Sequence, residues 1–176
     1  MNNDLKLFKK TRLLLLDVDG ILTSGDITYS QNGDELKSFS VRDGLGINLL
    51  VKSGIPVSVV TARQSAIVEK RCRELNISPV YQNIKKKIIA FEKIKEQFKI
   101  KASEICYMGD DLIDIPILKK CGIPVTVPDA CEEAKKECLY ITKKNAGKGA
   151  VREVCELILK SKSLWIDAIN EYTGTD

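Results

Sequence analysis

An α/β fold, a parallel sheet with helices on both faces, is predicted for this 176-residue chain by three features. Its apolar runs, such as Leu13-Leu14-Leu15-Leu16, are short and continuous instead of alternating, as strands buried on both faces require. Between the runs lie stretches of helical length and spacing, the pattern of right-handed strand-helix-strand units. Acidic and other polar residues follow directly on the runs, and the carboxyl ends of parallel strands are where such sheets collect chemistry.

Residues 13–16 form the first strand, and Asp17-Val18-Asp19-Gly20 follows it, with Gly20 free to turn the backbone. Residues 25–40 read as a projecting β-hairpin, with arms at 26–30 and 35–40 around Gln31-Asn32-Gly33-Asp34, because Asn-Gly between strand-like arms is a strong turn signal. Asp43 is the expected cap of a helix through Leu45, Leu49 and Leu50 to Gly54, and residues 56–60 form a second strand ending at Thr61. A helix is expected over 65–75, a short strand at 80–81, and an amphipathic helix over 84–98 with Ile88, Phe91, Ile94 and Phe98 on one face. The strand 105–108 ends at Gly109-Asp110-Asp111, and a helix follows over 112–121, with Pro116 tolerable only in its first turn. A strand at 124–127, a helix at 130–138, a strand at 139–141 and a helix at 150–159 continue the alternation. The tail, about 161–176, is either a docked helix or an arm, and the whole of 1–176 reads as one domain.

Composition narrows the chemistry. With 44% hydrophobic and 30% charged residues the chain has the make-up of a soluble globular protein, and no apolar stretch approaches the ~20 residues of a membrane helix. The charged start leads into only a short Leu run, unlike a secretory signal, so a cytoplasmic location is expected. Six cysteines lack any Cys-x-x-Cys pair and read as reduced thiols. The absence of histidine excludes Ser-His and Cys-His nucleophile pairs, leaving carboxylates, Lys, Tyr or Cys for acid-base work. A net charge of +4 from scattered lysines and arginines gives no footprint for nucleic acid.

Strand ends therefore bring forward Asp17 and Asp19, Thr61 with Arg63, Lys87 near the start of its helix, and Asp110, Asp111 and Asp114. Thr61 alone would be a turn residue and Lys87 one of three wet lysines; together with two acidic motifs they suit phosphoryl transfer, which needs cations around the phosphoryl oxygens and an in-line nucleophile. Asp17 and Asp110 are hard oxygen ligands for Mg²⁺. Asp17 would attack phosphorus to form an aspartyl phosphate, and Asp19 would protonate the leaving oxygen and then deprotonate the hydrolytic water. Thr61 would hydrogen-bond a phosphoryl oxygen, and Lys87 would add charge, held by Asp111 or Asp114.

The ordered set Asp17-Val18-Asp19-Gly20, Val59-Val60-Thr61-Ala62-Arg63, Lys87 and Gly109-Asp110-Asp111 with Asp114 resembles the four motifs of the haloacid dehalogenase superfamily of phosphatases. Within it, Ser40-Val41-Arg42-Asp43-Gly44, Thr61-Ala62-Arg63, Arg71-Cys72 and the string from Gly149 to Cys155 are similar to the phosphatases acting on 3-deoxy-D-manno-octulosonate 8-phosphate, over roughly residues 11–160. The resemblance implies Asp17 as nucleophile, Asp19 as general acid/base whose carbonyl also reaches Mg²⁺, Asp110 as the third ligand, and Thr61 and Lys87 on the phosphoryl group. It implies that Ser40, Val41, Arg42, Asp43, Gly44, Arg63 and Arg71 handle the sugar acid, whose carboxylate suits a bidentate guanidinium. It also implies a role in lipopolysaccharide precursor synthesis. Asn48 departs from the pattern, standing where some relatives carry arginine.

Only the hairpin and one helix occupy the gaps where larger members insert a cap domain, so a neighbouring subunit is expected to close the site, in line with the homotetramers of the capless relatives. The alternatives are a phosphatase for a nine-carbon keto sugar acid 9-phosphate, which Arg42 disfavours by resemblance, and two readings of another class. These are a phosphorylatable receiver, whose acidic pair and phosphoacceptor lie on different strands, and a non-catalytic oligomerising module.

Overall fold

The computed structural model describes residues 3–174. Six strands make one parallel sheet: β1 (Leu13–Leu16), β4 (Val57–Val60), β5 (Val80–Tyr81), β6 (Ile105–Met108), β7 (Ile123–Thr126) and β8 (Tyr140–Ile141), in the order β5-β4-β1-β6-β7-β8. β1 lies between β4 and β6, at the point where the strand order reverses, so the loop carrying Asp17 and Asp19 opens into the crevice such a reversal creates.

The all-Leu strand serves both faces. Leu14 and Leu16 enter one core with Ile47, Leu50, Val154 and Ile158, whereas Leu13 and Leu15 enter the other with Phe91, Ile94 and Ile117. The first face is covered by α1 (Asn3–Phe8), α2 (Val41–Lys52), α3 (Ala66–Glu74), α7 (Ala150–Ser161) and α8 (Trp165–Thr173); the second by α4 (Lys87–Phe98) and α5 (Ile115–Leu118), with α6 (Glu132–Lys136) adding Ala134. Each fully buried Leu contributes about 1.5–3 kcal/mol of transfer free energy, so this strand anchors the acidic loop beyond it.

Several expected boundaries are corrected. The cap of α2 is Ser40, whose Oγ accepts the Asp43 N–H at 3.3 Å; Asp43 lies inside the first turn and its carboxylate is used elsewhere. α4 begins at Lys87 instead of 84, because Asn83 takes a left-handed conformation and the Ile84 N–H is drawn to the Thr61 carbonyl. The helix expected over 112–121 divides into a 3₁₀ turn, Leu112–Asp114, and the short α5, because Asp111 caps Leu112 and Asp114 turns its carboxylate back on the preceding loop. Pro116 sits in the first turn of α5, as its missing N–H demands. α6 is shorter than expected, and α1 is an addition.

The hairpin exists but pairs only β2 (Thr28–Tyr29) with β3 (Glu35–Leu36). Ser30 closes its turn by accepting the Asn32 and Asp34 N–H groups on Oγ, and Gly33 takes φ +86°. Of the two readings of the tail, the helix is found: α8 packs on α2 and α7, with Trp165 under the Arg152 guanidinium; residues 175 and 176 of that tail, like 1 and 2, lie outside the described residues.

Candidate active site

β1 ends where its ladder to β6 makes a last bond, Asp17 N–H to the Met108 carbonyl at 3.0 Å. The chain then turns so tightly that the Val18 carbonyl accepts from Ile21, Leu22 and Thr23. Gly20 makes this possible: it has φ +87°, and a Cβ there would stand 2.0 Å from Asp110 Oδ2. The loops after β1 and β6 are thereby pressed together, and with the loop after β4 they enclose a cavity of about 230 Å³. It is lined by Asp17, Asp19, Thr61, Arg63, Lys87, Asp110 and Asp111.

At its floor, Lys87 Nζ lies 2.8 Å from Asp17 Oδ1 and 2.6 Å from Asp114 Oδ1, with its side chain fully buried. Asp114 is committed on both oxygens: Oδ1 also accepts the Tyr107 hydroxyl, and Oδ2 accepts the Asp110 and Asp111 N–H groups at 3.0 and 3.2 Å. Asp114 therefore holds Lys87, whereas Asp111 spends Oδ1 on the Leu112 N–H. Burial, and then the Asp114 charge, push Asp17 up to about 8 against the pull of Lys87. The same two causes, in that order, push Asp110 up to about 7. Burial alone would lower Lys87; Asp17 and Asp114 outweigh it and the ammonium is held above its usual range.

One lysine thus faces three carboxylates, and the positive charge is short. Oxygens of Asp17, Asp110 and Asp114 lie within 4.8 Å of one another, and Asp110 Oδ1 is buried with no hydrogen-bond partner. A buried, unpaired anionic oxygen beside a second carboxylate fits a hard divalent cation such as Mg²⁺. Asp114, with both oxygens already occupied, is the member of the trio whose capacity is spent.

Asp19 stands at the mouth. One oxygen accepts from Lys37 of the hairpin, and the other is 3.9 Å from Arg63 Nε. Thr61 is buried, its Oγ1 accepting the Arg63 N–H at 3.2 Å, which leaves the hydroxyl proton to donate into the cavity. Lys37, Glu35 and Tyr107 were not among the residues expected here. Opposite charges at 35 and 37, two apart on a strand arm and so on one face, were the available signal for the first two.

The remaining expected residues lie elsewhere in this chain. Ser40, Val41 and Arg42 line a separate cleft of about 410 Å³ with Ser24, Phe39 and Lys148. Asp43 is buried and caps α7 from a distance, accepting Gly149 N–H at 3.2 Å and Arg152 N–H at 2.8 Å. Gly44 lets Arg71 pass, since a Cβ would be 2.4 Å from its Nη2, and Arg71 lies over the Phe39 ring and pairs with Glu74. Asp43, Gly44 and Arg71 line neither cavity.

Residues 77–154 match the family profile of haloacid dehalogenase-like hydrolases. The 3-deoxy-D-manno-octulosonate 8-phosphate phosphatase KdsC of Escherichia coli (strain K12) is 46% identical over 148 residues, 84% of this chain and 79% of that protein. Its Yersinia pestis counterpart is 40% identical over the same shares. The crystal structure of the phosphatase of that name from Moraxella catarrhalis, in complex with a magnesium ion, a phosphate ion and a KDO molecule, superposes with a TM-score of 0.94 at 40% identity, covering 98% of this chain and 99% of that one. The cobalt-bound form of the Haemophilus influenzae enzyme gives 0.86 at 34%, with 90% and 93% covered. A fold shared over nearly the whole length, at such identities, places this chain in the haloacid dehalogenase-like hydrolase family.

Proposed function

We propose that this chain is a Mg²⁺-dependent phosphatase, one domain throughout, that hydrolyses 3-deoxy-D-manno-octulosonate 8-phosphate to the free sugar acid and inorganic phosphate. The observation that carries the reading is the buried Asp17, 2.8 Å from Lys87 and beside the unpartnered Asp110 oxygen, in a fold that matches a structure holding magnesium, phosphate and KDO. A cytoplasmic setting belongs to the same proposal. It is supported by free thiols at all six cysteines, and no helix among the described residues is long and apolar enough to cross a membrane.

Mg²⁺ would be held by the Asp17 and Asp110 carboxylates, with the Asp19 carbonyl as the resemblance implies, and the chemistry it supplies is neutralisation of charge on the phosphoryl oxygens. Lys87 and the Thr61 hydroxyl would bind the same oxygens from the protein side. Asp17 attacks phosphorus as the bond from phosphorus to the sugar oxygen breaks, and Asp19 hands that oxygen its proton. Asp19 then takes a proton from the water that attacks the aspartyl phosphate, releasing phosphate and restoring Asp17. Asp114 acts through Lys87, fixing it against Asp17.

A cavity of about 230 Å³ has room for the phosphoryl end but opens outward for the rest of an eight-carbon substrate. Arg63 stands at that mouth and suits the substrate carboxylate. The homotetramer belongs to the proposal, with neighbouring subunits capping the site and supplying residues such as Ser40 to Arg42 from their separate cleft. Ile27, Tyr29 and Leu36, exposed on a hairpin too small to stand alone, support it.

Phosphate release by the purified protein, with and without Mg²⁺, is the test, offering the eight-carbon 8-phosphate beside a nine-carbon keto acid 9-phosphate and hexose phosphates. Metal-dependent preference for the first is expected. Preference for the nine-carbon substrate would move the assignment, and a stable phosphoprotein without turnover would favour a receiver.

A further inference from the structure

The hairpin reaches two of the side chains that line the cavity of its own subunit, Asp19 and Arg63. Leu36 and Ser38 face solvent, yet the Lys37 side chain between them is only 1% exposed. Its ammonium donates to Asp19 Oδ1 and lies 3.4 Å from Glu35 Oε1. The same Glu35 oxygen accepts from Arg63 Nη2 at 2.9 Å, and Arg63 Nε approaches the other Asp19 oxygen at 3.9 Å. The four side chains close a ring of alternating charge: Lys37 and Glu35 from the hairpin, Asp19 from the loop after β1, and Arg63 from the loop after β4.

Holding a two-pair hairpin in place does not require a buried ammonium, which is costly to desolvate and is tolerated only where anions pair it. Asp19, for its part, sits on a loop beyond the end of β1, and among the described residues Lys37 is the group that donates a hydrogen bond to its carboxylate. Without Lys37 that carboxylate would be free to rotate toward water. A proton donor must lie within hydrogen-bond reach of the oxygen it serves, so its rotamer is part of the chemistry.

We infer that Lys37 is a positioning residue of the reaction: it fixes the Asp19 carboxylate at the cavity mouth, and Glu35 holds Lys37 in turn. The inference rests on the phosphatase reading and on Asp19 as its acid/base. It makes the hairpin a component of its own subunit's reaction, in addition to any docking between subunits.

The test is steady-state phosphate release in Mg²⁺ by the full chain and by Lys37→Met, Lys37→Arg, Glu35→Gln and Lys37→Met with Glu35→Gln, with thermal unfolding and mass in solution read for each. Lys37→Met is expected to lose roughly 100-fold in kcat, the cost of a misplaced catalytic group, with KM nearly unchanged and the assembly intact. Lys37→Arg should restore much of the loss. Glu35→Gln should lose less and should add nothing in the double variant, because both act through one contact. If Lys37→Met does not fold, Glu35→Gln carries the comparison, and a kcat equal to wild type in it would overturn the inference. Wild-type kcat in a folded Lys37→Met, or losses in proportion to dissociation of the assembly, would overturn it also, leaving the phosphatase reading in place. A wild-type protein inert on every sugar phosphate would overturn both.

Discussion

Two charge clusters share one cavity and are built in opposite ways. Asp17, Lys87, Asp114 and Tyr107 form a dry cluster in which Tyr107 lies within β6, Asp17 bonds the end of that ladder, Lys87 opens α4 and Asp114 ends a 3₁₀ turn. Asp19, Lys37, Glu35 and Arg63 form a partly wet ring on loops and a two-pair hairpin, where only side chains close the circuit. The dry cluster suits a task that must not move, presenting a nucleophile and cations to a phosphoryl group in a low-dielectric setting. The ring suits a task tied to the variable part of the substrate and to proton transfer at the mouth.

The comparison is broken hardest at its nucleophile. Asp17→Asn should abolish turnover, by about 10⁴-fold or more, with circular dichroism unchanged, since the amide keeps the shape but not the attacking oxygen. Asp19→Asn should fall within the ~10²–10⁴-fold range of lost general acid-base catalysis; a loss as complete as that of Asp17→Asn would show both clusters to be equally indispensable. Lys87→Met separates them by stability. It removes the cation that both Asp17 and Asp114 pair with in the interior, for an expected loss of about 3–5 kcal/mol in chemical denaturation. Lys37→Met at the wetter ring should cost clearly less stability than Lys87→Met in the same assay.

A smaller effect sharpens the contrast through pH. Asp17 and Asp110 are held above the ordinary carboxylate range, at about 8 and about 7. Groups raised in the folded state contribute stability below their unfolded values and lose it as pH rises through the folded ones. The metal-free protein should therefore lose thermal stability from pH 6 to 9. Mg²⁺ should restore it increasingly toward the alkaline end, by about 2.7 kcal/mol at one hundred times its dissociation constant. A metal-free stability that rises over that interval would contradict the crowded-anion account of the dry cluster.

The dry cluster is the more legible in sequence, because Asp17 and the acidic loop leading to Asp114 follow apolar runs and strand ends converge by topology alone. The ring is not. A lysine on a polar hairpin reads as a wet residue, and only its meeting with Asp19, eighteen residues earlier, turns it inward. Tyr107 was hidden within an apolar strand whose other residues are core. From sequence Asp43 reads as a cap for its own helix because Ser40 and Asp43 carry the same capping chemistry, and the N–H groups it serves lie 106 and 109 residues away. The start of α4 moved from 84 to Lys87 because a tertiary bond from Ile84 to Thr61 competes with helical pairing.

The most direct measurement is acid quenching during turnover of 3-deoxy-D-manno-octulosonate 8-phosphate in Mg²⁺, with the phosphorylated residue located by mass spectrometry. Phosphate on Asp17, formed and lost on the timescale of turnover and absent from Asp17→Asn, is the expected result. Turnover that persists in Asp17→Asn, or phosphate found on another residue, would contradict the account.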